Sequence, residues 1–172
     1  MKWKRNNKVI ETSIVDYLEK IINEELARGF QMSVSVGTDS QKTGKRGTYK
    51  FATVILISTS EDLGGGVVVG RGGLVIAATY QHEFRHVKKD KDLVNERMVF
   101  EVGKSVEAAY EIAPLLDLYG IGLEIHADIN PDPMHESNKA LQASVGYILG
   151  MGYNFKIKPS SPAASYCADW ML

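Results

Sequence analysis

The segment at residues 49–58, YKFATVILIS, is apolar on both of its faces and rich in β-branched residues. A strand of that kind is stable only inside a sheet, with cover above and below it. The rest of the chain can be built around this requirement. Residues 31–39 alternate Met32, Val34 and Val36 with Ser33, Ser35 and Gly37, which predicts a strand with one large and one small face. The polar run at 40–48, SQKTGKRGT, reads as the turn between the two strands. Gly64, Gly65 and Gly66 break the chain before a third strand at 67–80, where Gly70, Gly72 and Gly73 point to a bulge or a second tight turn. Three strands joined by short turns make an antiparallel meander.

Helical patterns flank the meander. Thr12 or Ser13 can cap a helix carrying Ile14, Val15, Leu18, Ile21, Ile22 and Leu26 at helical spacing, ending near Gly29. After a polar linker at 81–91, a long helix runs from about 92 to 113, where Pro114 stops it. Its sheet-facing stripe is Val94, Met98, Val102, Ser105 and Ala109. A fourth strand at 121–128, a loop at 130–134, a helix from Ser137 to the Gly150/Gly152 stop and a fifth strand at 153–158 follow. Ser161 then caps a last helix, with Pro162 in its first position. Strands separated by helices cross over and lie parallel. The expected fold is α/β: a mixed five-stranded sheet with helices on both faces and an extra N-terminal helix. Residues 1–30 form the extension and 31–172 the domain.

Composition excludes several classes. The chain has 172 residues, 44% hydrophobic and 24% charged, as one folded domain would. A single cysteine, Cys167, leaves no internal disulfide framework and no cysteine-built zinc site. The net charge of −1 provides no whole-molecule field for nucleic acid, so any basic surface is local. The opening MKWKRNNKVIE has no apolar segment behind its basic residues and does not read as a signal peptide. No apolar run is long enough to span a membrane, and a cytoplasmic protein is expected.

The chemistry is best sought among four acids. Asp39 (VGTDSQ) and Asp128 (IHADIN) close the first and fourth strands. If those strands are parallel neighbours, both acids emerge at their carboxyl ends, where open α/β sheets bind ligands. Each alone also reads as an ordinary turn-starting aspartate. Glu101 borders the sheet-facing stripe of the long helix and can lean inward, or it can pair with Arg97 four residues back on the surface. Glu96 points nearly opposite. Asp169 sits among Ala163, Ala164, Ala168 and Cys167 on the last helix, where small residues allow close approach and would turn the acid toward protein; it also reads as a fraying residue three positions from the end. Two like charges about 4 Å apart repel by about 4 kcal/mol at an effective dielectric near 20. Four acids together therefore require protons or a cation, and oxygen-only ligands suit Mg²⁺ or Mn²⁺. A pair of such ions can clamp an in-line phosphoryl displacement.

These positions resemble the ribonuclease H fold and, more narrowly, the YkuK-like family of predicted ribonuclease H-related nucleases. The resemblance runs from Gln31 to Trp170 through VGTDSQ, IHADINPDPMHESNKAL, GYNFKIKP and AASYCAD. It implies a nuclease that holds two divalent ions on Asp39, Glu101 (with Glu96 as substitute), Asp128 and Asp169, and hydrolyses phosphodiesters of RNA, DNA or their hybrid. Separately from the resemblance, Lys158 at the end of the fifth strand, beside the last helix, reads either as a phosphate contact or as an ordinary exposed lysine.

Other signals are weaker. His82, His86, His126 and His135 match no zinc pattern. His126 shares a strand face with Asp128, as a proton shuttle or as a packed side chain. GGGVVVGRGG lacks the phosphate-loop pattern and reads as a hairpin. Lys42, Lys45, Arg46, Lys88, Lys89 and Lys91 make either a local phosphate patch or a solvated surface. A non-catalytic nucleic-acid or protein-binding module on the same fold is the alternative. An actin-like ATPase relative lacks its second domain and its glycine loops.

Overall fold

The computed structural model describes residues 1–44, 47–85, 90–130, 145–146 and 148–172, with side chains from 92 in the third stretch. The elements are β1 (Lys4–Arg5), β2 (Lys8–Val9), α1 (Ile14–Ala27), β3 (Gln31–Lys42), β4 (Thr48–Asp62), β5 (Val68–Glu83), α2 (Asp90–Leu118), β6 (Gly122–Ala127) and β7 (Asn154–Lys156), followed by a last helix at Ala163–Ala168. One mixed sheet holds all the strands in the order β2-β1-β5-β4-β3-β6-β7.

The five expected strands are all present. β3, β4 and β5 form the meander, β3 pairs in parallel with β6, and β6 in parallel with β7. The sheet has seven strands rather than five because a two-residue hairpin, β1–β2, adds to the β5 edge through Lys4 opposite Ala77. Asn6 and Asn7 turn that hairpin at φ 48° and 62°, the left-handed conformation asparagine tolerates best after glycine.

Several boundaries move outward. β3 continues through Asp39 to Lys42, so the expected turn is shorter. β5 runs to Glu83, taking in part of the expected linker. Pro114 lies inside α2 instead of ending it. Ile112, Leu115 and Leu116 are buried on either side, and this packing outweighs the lost backbone hydrogen bond. The expected Ser137 cap, with His86, His135, Lys45, Arg46, Lys88 and Lys89, lies outside the described residues, as does the side chain of Lys91.

Alternation sorts the sheet into two faces. Val34, Val36, Ile55, Ile57, Ile76 and Ile125 share a core with α1 and α2, which packs Met98, Val102 and Ala109 inward as the stripe predicts. Ser13 caps α1 by accepting the Asp16 N–H at 3.0 Å, while Leu26 is exposed and leaves the expected stripe. The opposite face carries Ala52, Val54 and Ala77 against Ala163 and Ala168 of the last helix. Helices therefore cover both faces. Among the described residues no helix is long and apolar enough to cross a membrane.

Candidate functional site

The parallel register of β3 and β6 sets the geometry. Thr38 lies opposite Ala127, the last pair of that ladder. Asp39 and Asp128 come next in each chain, so the two acids leave adjacent parallel strands at the same level. Asp39 does not end its strand; it pairs onward with Ala52 of β4, and only its parallel neighbour stops there.

Asp39 is half-buried. Its Oδ1 accepts the Ser40 N–H at 2.7 Å. Burial raises its pKa from 3.8 to about 6. The Ser40 hydrogen bond and Arg97 oppose that rise, while the charges of Asp128 and Asp169 add to it. Asp128 accepts the Ser165 hydroxyl at 2.6 Å on Oδ1 and the Lys158 ammonium at 2.9 Å on Oδ2. Lys158 thus faces an acid of the site.

Glu101 leans inward. It is 5% exposed, its Oε1 accepts the Ser40 hydroxyl at 2.6 Å, and Arg97 Nη1 stands 3.3 Å away. The i,i+4 pair with Arg97 exists, but it is turned toward the sheet rather than lying on the surface. Arg97 also donates to the Ser40 carbonyl at 3.2 Å and to its hydroxyl at 3.1 Å. Burial lifts the Glu101 pKa to about 8, against the pull of Arg97 and Ser40 and with help from Asp39 and Asp128. Glu96 is exposed. Asp169 is also exposed, on the helical turn that continues the last helix, and its charge reaches Asp39.

The architecture around these acids is hydroxyl-rich. Ser105 Oγ donates to Thr38 Oγ1 at 2.9 Å, Thr38 meets Thr53 at 2.9 Å, and Thr53 meets the Tyr80 hydroxyl at 3.0 Å. This chain ties α2 to the sheet beneath Glu101, whose carbonyl also accepts from Ser105 at 3.1 Å. His126 docks the other side: Nδ1 accepts the Ala163 N–H at 3.2 Å, and Nε2 lies 3.3 Å from Glu124. Burial lowers its pKa, so it stays neutral and structural. Its partners make it an anchor for the last helix. His82 stacks on Phe100 with ring centroids 4.4 Å apart.

The Ribonuclease H-like family model matches residues 13–171. The chain belongs to the ribonuclease H-like family. No curated protein and no solved structure matches it significantly. The match takes in α1, and α1 shares the main core of this ribonuclease H-like chain.

The acids fit a hard divalent cation by donor type, since all are carboxylates; among the described residues Arg97 stands against Glu101 and Lys158 against Asp128. Their side-chain positions fit less well. Among the described residues no three His, Cys, Asp or Glu side chains stand in ligating positions. A cation would have to take Asp128 from Lys158 and compete with Arg97 for Glu101. Ser40 and Ser165, which orient two of the acids, escaped sequence reasoning. Their signal was placement: one is adjacent to Asp39, and the other is one helical turn before Asp169.

Proposed function

We propose that this protein is a divalent-metal-dependent nuclease, similar to the YkuK-like ribonuclease H relatives, in a cytoplasmic setting. Asp39, Glu101, Asp128 and Asp169 would hold Mg²⁺ or Mn²⁺. The observation that carries the reading is the pairing of Asp39 with Asp128 at one level of adjacent parallel strands, with Glu101 electrostatically coupled to both. When bound, such ions supply an activated water and stabilise the leaving 3′-oxygen.

The protein's own residues do the positioning. Ser40 holds Glu101 and Ser165 holds Asp128, so neither carboxylate swings freely. Arg97 offsets the charge of Glu101. Lys158 offsets that of Asp128 and, once a cation takes that carboxylate, is free for the substrate phosphate.

Labelled RNA, DNA and hybrid incubated with Mg²⁺ or Mn²⁺ should be cleaved, and the same mixtures in EDTA should stay intact. Intact substrates in every metal, or equal cleavage in EDTA, would overturn the reading. Lys158→Met should raise Mn²⁺ affinity about two- to fivefold in calorimetry, the range expected on removing a competing exposed ion pair. It should also raise KM for the nucleic acid. Unchanged Mn²⁺ affinity would show that Lys158 does not compete for Asp128.

One observation favours a second reading. Two of the four acids already carry cationic partners in Arg97 and Lys158, as they would in a non-catalytic binding module built on the ribonuclease H fold. Such a module would bind nucleic acid or protein without turnover in any metal.

A further inference from the structure

A second concave feature lies beside the carboxylates. A groove of about 540 Å³ runs between the β1–β2 hairpin, β5 and the end of the last helix. Val75, Ala77 and Thr79 line it along β5, and Lys4 and Lys50 bring positive charge, while the Arg5 guanidinium donates to the Tyr17 hydroxyl of α1 at 3.4 Å on the other face of the sheet. Among the described residues no Asp or Glu lines it. Lys4 pairs with Ala77, and Lys50 is held by the main-chain oxygen of Leu172 at 2.8 Å.

The last helix adds aromatic rings. Trp170 lines the groove and is 81% exposed, while Tyr166, four residues earlier, is 68% exposed. The other tryptophan, Trp3, is buried in the core at 5%. A large ring left in water beside two lysines fits a partner that offers flat π-faces and negative charge together. Nucleic-acid bases and phosphates offer both.

We propose that this groove takes single-stranded nucleic acid, with Trp170 stacking on a base and Lys4 and Lys50 meeting its phosphates. Single strands present free base faces, whereas a duplex hides them. The cavity falls in the range of about 300–1,000 Å³ that encloses small ligands, so it suits a nucleotide or two and not a double helix. The groove also adjoins the acids. Trp170 directly follows Asp169, and Lys50 lies two residues along β4 from Ala52, the cross-strand partner of Asp39, on the same face. The inference deepens the nuclease reading and rests on it for the direction of the strand, though its test needs no cleavage.

The test is a fluorescence titration of the full chain in EDTA with a short oligothymidylate and, separately, with a short blunt duplex. Only Trp170 is placed to respond. The single strand should quench the emission and the duplex should not. Followed instead by the anisotropy of a dye-labelled oligothymidylate, Trp170→Ala should weaken binding about tenfold or more, and Trp170→Phe should restore most of it. Lys4→Ala should reduce the salt slope of log K by about 0.7, the value for one single-strand phosphate contact. Equal quenching by duplex, unchanged emission with single strand, or wild-type affinity in Trp170→Ala would overturn the groove assignment. Metal-dependent cleavage with unaltered KM in Trp170→Ala would remove the groove and leave the nuclease. Single-strand binding at Trp170 without cleavage in any metal would support the groove and remove the nuclease.

Discussion

Asp39→Asn is expected to abolish metal-dependent cleavage and, in EDTA, to make the protein more resistant to heat. The first effect follows from removing a charged ligand at the level where β3 and β6 present their acids. The several kcal/mol of transition-state stabilisation attributed to bound ions corresponds to a loss of about a thousandfold or more. The second effect follows from burial. The Asp39 pKa is raised from 3.8 to about 6, so the folded protein holds this proton more tightly than the unfolded chain does. Stability from this group is full below pH 3.8 and is lost as pH rises through about 6. Above that, the wild type carries an ionised, partly desolvated carboxylate facing other acids, and the variant carries a neutral amide. At 1.36 kcal/mol per pKa unit, less what solvent and the Ser40 hydrogen bond return, the gain is about 1–2 kcal/mol. For a chain of this size that raises Tm by roughly 2–8 °C. The two melting temperatures should converge near pH 4 and separate to a plateau above pH 7. Calorimetry across that range, alongside a cleavage assay, checks both halves. A variant with no gain in stability at pH 8 would mean that Asp39 is comfortably solvated, and cleavage retained would remove it from the chemistry.

Much of this arrangement could be read from the chain because the signals are local and periodic. The two-faced apolar run at 49–58 required a central strand, and the helix between the first and fourth strands required them to run parallel. Helical spacing put Glu101 on the edge of the Met98–Val102 stripe but left open whether it leaned inward or paired with Arg97 on the surface. What escaped depends on contacts between distant residues. Pro114 is a local stop signal, but the burial of Ile112, Leu115 and Leu116 is a tertiary fact that outweighs it. β5 extends past Tyr80 because His82 and Phe84 join Phe51 and Phe100 in one aromatic cluster, an alternation at 80–84 that reads as linker while only its charges are counted. The β1–β2 hairpin was not foreseen, although asparagine at positions 6 and 7 suits the left-handed turn it makes. The partners of the acids were the least accessible. Spacing offers Arg97 to Glu101, but it cannot say that the pair is buried. Nothing in the order of residues brings Lys158 or Ser165 to Asp128.

Gly37 explains how the last helix reaches the acids, and its replacement should have the largest effect on the fold. It sits on the small face of β3, two residues before Asp39. A methyl carbon there would fall 2.5 Å from the Ala164 nitrogen, 2.8 Å from the Ala163 carbonyl carbon and 2.9 Å from the Ala164 Cα. These are backbone atoms, which cannot rotate out of the way, so the helix itself must shift. The Ala163 N–H bond to His126 and the Ser165 bond to Asp128 depend on its present position. Overpacking of this kind costs about 1–3 kcal/mol or more, so Gly37→Ala should lower Tm by roughly 3–10 °C. A displacement of about 1 Å at reacting groups also costs on the order of a hundredfold in rate. Cleavage should therefore fall further than the loss of folded protein explains. Gly103→Ala is the matching control, since nothing lies within 4 Å of the added methyl in the middle of α2. There alanine should add about 0.5–1 kcal/mol of stability by restricting the unfolded chain. If Gly37→Ala melts at or above the wild-type temperature, as Gly103→Ala should, then the last helix does not rest on β3 at this point, and the reach of the Asp169 charge to Asp39 goes with it.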